Sequence, residues 1–299
     1  MTGVLLALAA SGAWGVSDFL AGVRARTLAM PVVLLLSQLA GLTVLLAATS
    51  GGMAAASGGR SGGSALALSG VILVTAALAG AAGAGALGLL YLAMARGGII
   101  VVAPVAAGAA AIPVLAGVLA GESLTTRSWV GIGCALAGAL CAALPRHDRE
   151  SGQPVGSDRR MAALAGSGSA LCSGTFFVLL RTAANAGDPF AVTLANRVCA
   201  CALVAAWALG CRPDLAGVRR AKPLALLAVA LVGVGDAVAE LCFAAASTRV
   251  PLGVATSLAS LYPAVAVLLA LVVLGERLRP VGAAGIGFAL AGVVLLGAG

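Results

Sequence analysis

Residues 131–138 read GIGCALAG and residues 285–292 read GIGFALAG, so two octapeptides 154 positions apart differ at one place, Cys134 against Phe288. The same offset pairs Gly121-Glu122 with Gly275-Glu276 and Leu124 with Leu278. A block repeated in register with a Gly-Glu dipeptide ahead of it marks an internal duplication, and the whole chain is read as two copies of one unit.

The two copies consist of apolar stretches. The 299 residues are 61% hydrophobic and 9% charged, whereas a soluble domain carries about 25% charged residues. Charge clusters and Gly/Pro-rich breaks divide the chain into ten stretches, 3–23, 30–49, 70–95, 98–120, 127–144, 162–182, 189–209, 223–247, 251–274 and 280–298. Each is long enough to cross a bilayer as a helix, and helices are required because lipid satisfies no backbone group. The first stretch lacks a charged leading region and has an equal at the start of the second half, so it reads as a retained helix and not a cleaved signal. The fold expected is an all-α membrane protein of ten transmembrane helices.

The first halves of the two copies align at an offset of 158, which sets Trp14-Gly15-Val16-Ser17-Asp18-Phe19 opposite Cys172-Ser173-Gly174-Thr175-Phe176-Phe177. Pro31 then faces Pro189, and Gln38 faces Asn196. Residues 1–144 form the first five-helix repeat, 145–161 a polar connecting loop, and 162–299 the second repeat. Five helices per repeat is an odd number, so the second repeat enters the membrane upside down. Inverted repeats of this kind place a substrate site near the bilayer midplane, between the repeats.

The excess of positive charge, +8, follows from arginines in the short connections and is not a nucleic-acid footprint. The 17 Arg to one Lys, with abundant Ala and Gly, fits a GC-rich bacterial genome. The seven cysteines lack metal-ligand spacing and read as small apolar packing residues. The single His147 lies in the charged connecting loop. No cofactor or metal motif is present. The Gly-rich octapeptide cannot be a phosphate loop, which needs a preceding strand and water; it reads as a helix-packing face, and such small-residue faces permit a homodimer.

WGxSxF in the first helix, with Gly-Glu-x-Leu ahead of a Gly-rich last helix in each half, resembles the EamA-type transporters of the drug/metabolite superfamily. The resemblance covers essentially the whole chain. It implies a ten-helix carrier in the cell membrane, with a central cavity lined by the first four helices of each repeat. It further implies export of amino acids, other metabolites or drugs, with no catalytic residues. Relatives are described with both termini in the cytoplasm. Here most Arg residues follow odd-numbered spans, and the positive-inside rule therefore puts both termini outside.

Ionisable groups inside spans are costly and usually functional. Four stand out: Asp18, Arg197, Asp236 and Glu240. Asp236 and Glu240 share one helix face at i, i+4, where each disfavours the other's charge, so one of them is suited to carry a proton. The alternative is that nearby arginines neutralise both and the group only joins helices. Counting along the helices, Glu240 lies about 10 Å and Arg197 about 12 Å from one membrane face, close enough to pair. Asp236 lies deeper, at about 16 Å, level with Trp14 and Tyr262 and with no partner at its own depth.

Trp14, Asp236 and Tyr262 thus make a midplane constellation in which aromatic faces beside a carboxylate suit an ammonium or larger organic cation. The two rings read equally well as helix packing. Asp18, six residues before Arg24, reads as a gate-level ion pair rather than part of the deep site. Gln38 and Asn196 read either as substrate-binding amides across the pseudo-axis or as interhelical glue. Tyr91 and Trp129 read as interface anchors. The function expected is secondary transport of a small amphipathic or cationic molecule, by proton antiport. An intramembrane enzyme built on Asp236 and Glu240, and a non-transporting scaffold, are the rival classes.

Overall fold

The computed structural model describes residues 2–24, 30–50, 69–97, 111–119, 157–211, 223–274 and 280–297, with 109, 121, 125–127, 129–131, 133, 134, 137 and 221. All the regular structure among them is helical. The elements are α1 (Thr2–Arg24), α2 (Met30–Ser50), α3 (Gly70–Gly97), α4 (Ala111–Leu119) and α5 (Ser157–Ala186). They continue with α6 (Pro189–Cys211), α7 (Pro223–Ser247), α8 (Leu252–Ala259), α9 (Tyr262–Leu274) and α10 (Pro280–Gly297). Among the described residues six helices, α1, α2, α3, α5, α6 and α7, are long and apolar enough to cross a membrane. The fourth expected span is described only as α4, and most of the fifth lies outside the described residues, as does the loop 145–156.

The boundaries follow local chemistry. Asp188 accepts a hydrogen bond from the Ala191 amide at 3.0 Å and Pro189 occupies the first turn of α6, the usual arrangement of a capped helix start. The expected ninth span is divided. Pro263 has no N–H to return to the Ala259 carbonyl, and the Leu261 amide bonds to Leu258, one residue short of the α-helical partner. The chain therefore breaks between α8 and α9. Gly121 closes the segment after α4 with φ +93° and donates its amide to Val118 at 2.9 Å. This conformation favours glycine and accounts for one half of the repeated Gly-Glu pair; Glu122, Gly275 and Glu276 lie outside the described residues.

The distribution of side chains is that of a bilayer protein. Leu5, Val71, Leu209 and Val272 face outward, while Ser11, Gln38, Thr193, Asn196 and Arg197 are buried. Helices with apolar residues on every side leave polar groups to each other. α1 runs along α7 and leans on α8 and α9; α3 runs along α5 and α6; α2 lies against α6 and α7; α4 meets α5.

Close approach depends on missing side chains. A Cβ on Gly233 of α7 would overlap the Ser37 carbonyl of α2, and one on Gly41 would stand 2.6 Å from the Gly233 carbonyl oxygen. A Cβ on Gly15 would stand 2.7 Å from the Tyr262 carbonyl oxygen, which seats α1 against the α8–α9 break.

Two readings from sequence need correction. Gly131 and Gly285 are buried, but a Cβ at Gly133 or at its counterpart Gly287 would meet nothing within 4 Å. The octapeptide is therefore a packing face only in part among the described residues. Tyr91 is not an interface anchor: it is 1% exposed and packs in the core with Phe19, Val33 and Leu34. Its ring lies on the inward side of α3, a rotation that a helix apolar all round does not reveal. Trp129, by contrast, is 52% exposed.

Candidate functional site

At the centre of the bundle stands Arg197 of α6, 0% exposed. Its Nη1 donates to Asp236 Oδ2 at 2.7 Å and to Gln38 Oε1 at 2.6 Å. Its Nη2 lies 2.7 Å from Glu240 Oε2, an ion pair without directed hydrogen-bond geometry. Asp236 and Glu240 are one turn apart on α7, about 6 Å along the axis, and the forked guanidinium is wide enough to hold both.

The carboxylates have further donors. Trp14 Nε1 donates to Asp236 Oδ1 at 2.9 Å, and Asn196 Nδ2 donates to Glu240 Oε2 at 3.2 Å. The network joins α1, α2, α6 and α7. Removing charges from water is costly unless each is paired and hydrogen-bonded; here each charge has an opposite partner and at least one hydrogen bond, while Arg197 Nε and Nη2 and Asn196 Oδ1 make none.

Trp14 is also the hub of an aromatic group. Its ring centroid lies 5.5 Å from Phe177 and 6.2 Å from Tyr262, both edge-on, and 6.4 Å from Phe176. Phe177 in turn lies 4.8 Å from Phe243. Such pairs favour edge-to-face geometry because the ring face is negative and the edge positive.

Beside the network and the rings lies a cavity. Trp14, Asp18, Tyr262, Asp236 and Glu240 line it together with Ser173, Phe176, Phe177 and the α3 residues Gly83, Ala86, Leu87 and Leu90. Its volume is about 50 Å³, room for a few waters at ~10–15 Å³ each. A drug-sized ligand needs roughly 300–1,000 Å³, so the cavity is closed to anything large in this conformation.

The structure brings together Trp14, Asp236 and Tyr262, and pairs Arg197 with Glu240, as the depth count along the helices expects. It departs from that count in three ways. Asp236 does have a partner, because the long Arg197 side chain reaches across a helical turn that backbone depths alone treat as separation. Asp18 is not a gate-level ion pair: it is 6% exposed, lines the cavity, and has no hydrogen-bond or ion-pair partner among the described residues. Gln38 and Asn196 do not reach the cavity; they hold Arg197 and Glu240. Phe176, Phe177 and Ser173 were not singled out from sequence, although the repeat alignment sets Phe176-Phe177 opposite Asp18-Phe19.

Residues 160–298 match the EamA-like transporter family. The match covers a little under half of the 299 residues, so over its C-terminal part the chain is similar to the EamA-like transporters. A solved structure described only as "Crystal structure of protein" superposes with a TM-score of 0.68 at 17% identity, over 98% of this chain and 95% of that one. At that identity the likeness concerns the fold alone. No match exists among curated proteins. The six long apolar helices are those of a multi-pass membrane protein, and the polar cluster lies buried among them.

Proposed function

We propose that this EamA-like chain is a secondary carrier of the bacterial inner membrane that exports a small amphipathic or cationic metabolite or drug in exchange for protons. The observation that carries the reading is the cavity itself. It combines carboxylates with aromatic rings, and its walls come from both halves of the chain, α1 and α3 on one side of the loop and α5, α7 and α9 on the other. A carrier needs a midplane site between two units that can move against each other.

We further propose that residues 1–144 and 162–299 are inverted five-helix repeats related by an axis in the membrane plane. The contacts support it: α1 on α7 and α5 on α3 exchange under that relation, as do α2 on α7 and α6 on α3. The rings around a carboxylate favour a cation through their negative faces. The geometry favours this reading over an intramembrane enzyme, since Asp236 and Glu240 lie side by side on one guanidinium and do not converge on a bond.

The test is counterflow. Ligands would first be found by thermal shift over amino acids, polyamines and cationic drugs. Proteoliposomes loaded with an unlabelled ligand should then accumulate the labelled form from outside. Binding without counterflow, at several membrane compositions, would overturn the carrier reading.

A further inference from the structure

The three carboxylates at the cavity are not equivalent. Asp236 has both oxygens engaged, Oδ1 by Trp14 and Oδ2 by Arg197. Glu240 has Oε2 held by Arg197 and Asn196. Asp18 is as deeply buried as either, at 6% exposure for all three, and borders the same cavity. No described residue bonds it.

Charge makes the difference sharper. One guanidinium already serves two carboxylates, so the network has no positive charge to spare for a third. A buried carboxylate left charged and unpaired is expensive in the membrane interior. The groups near Asp18 offer it no positive charge: Asp236 and Glu240 on α7 are acids already paired with Arg197, and Tyr91 on α3 and Tyr262 on α9 are phenols. α8 contributes no titratable side chain. Arg24, on its own helix, lies six residues on, about 9 Å along the axis. Arg197 is turned to the α7 acids.

We propose that Asp18 is the exchange site of the cavity: it holds a proton when the cavity contains only water and the ammonium group of an amine when it is filled, while Asp236 and Glu240 stay bound to Arg197. The balance is one for one. The carboxylic acid releases its proton to a cavity water, and the incoming ammonium replaces it, so the buried charge is unchanged. Trp14, Phe176, Phe177 and Tyr262 supply ring faces for the rest of the cation. An ammonium suits the site better than a metal ion, because no three acidic, His or Cys groups among the described residues converge as metal ligands do. The assignment deepens the carrier reading, and exchange at Asp18 is what would couple the substrate to protons.

The test needs no transport. The full chain in liposomes would be followed by infrared difference spectroscopy, with the proton and methylammonium as probes, the latter small enough for the cavity as it stands. The wild type should show a protonated-carboxyl band that methylammonium removes at fixed pH. Asp18→Asn should lose both the band and the response, and Asp18→Glu should restore them at a shifted frequency. A hydrophobic carbodiimide, which modifies only protonated carboxyls, should label Asp18 of the wild type and be blocked by methylammonium; this arm holds even where Asp18→Asn does not fold. Persistence of band and response in Asp18→Asn, or labelling at Asp236 or Glu240 instead, overturns the proposal. Proton–methylammonium exchange at Asp18 without counterflow of any ligand would leave this assignment standing and defeat the carrier.

Discussion

Replacing Arg197 by Met tests whether the central network is one unit. Arg197 is fully buried and holds Asp236 and Glu240 at 2.7 Å each and Gln38 at 2.6 Å. Removing one partner of a buried pair costs about 3–5 kcal/mol, because the other charge stays buried and uncompensated. Two carboxylates lose the same guanidinium here, which puts Arg197→Met at the upper end, near 5 kcal/mol on that scale. The Gln38 hydrogen bond adds about 1 kcal/mol. The triple variant Arg197→Met, Asp236→Asn, Glu240→Gln removes all three charges together. Replacing a buried ionic group as a whole is often close to neutral, so the triple should be more stable than Arg197→Met alone by roughly 2 kcal/mol or more. Reversible unfolding in mixed micelles, read by circular dichroism, measures both. A triple variant whose loss equals the sum of the three single losses would show that the residues act independently, and the network account would be wrong.

Gly233→Ala should destabilise by about 1–3 kcal/mol as α2 and α7 are forced apart, because the new methyl overlaps the Ser37 carbonyl; Gly12→Ala, where nothing lies within 4 Å, should instead gain about 0.5–1 kcal/mol of helix stability, and melting in detergent separates the two. Trp14→Phe keeps an aromatic ring but withdraws the donor from Asp236 Oδ1, leaving a buried acceptor short at a cost of about 1–3 kcal/mol; a melt equal to wild type would show that this hydrogen bond does not hold α1 to α7.

Much of this was readable from residue order because membrane helices translate position into depth. A rise per residue puts Trp14, Asp236 and Tyr262 at one level and Arg197 near Glu240, and the structure joins each set. What depth omits is rotation. α2 and α3 are apolar on all sides, so no stripe shows which way Tyr91 or Gln38 points, and both prove to be buried. The same omission misplaced Asp18. Arg24, six residues on, points by sequence to the helix end, whereas one turn of helix from Trp14 is enough to put Asp18 on the cavity. Side-chain reach was the other omission, and it concealed the bond from Arg197 to Asp236.

The duplication explains which parts of the site are shared and which are not. At the offset of 158, Gln38 faces Asn196, an amide for an amide, but Asp18 faces Phe176 and Leu39 faces Arg197. At either offset the α7 acids fall opposite apolar residues of α3, Leu78 and Ala82 or Ala82 and Ala86. The two halves thus contribute unlike things to one cavity. The guanidinium and two of the acids come from the second half, with Gln38 and Trp14 of the first half bonded to them; the remaining acid, Asp18, comes from the first half and faces the second half's phenylalanines. The contacts also differ in strength. Parting Arg197 from its acids costs several kcal/mol by the buried-pair figure of about 3–5 kcal/mol, whereas an aromatic pair is worth about 0.5–1.5 kcal/mol beyond its area. Any widening of the cavity therefore meets less resistance between Trp14 and Phe176 or Phe177 than at the ion pairs. Asp18, which no described residue bonds, lines the same cavity as those rings.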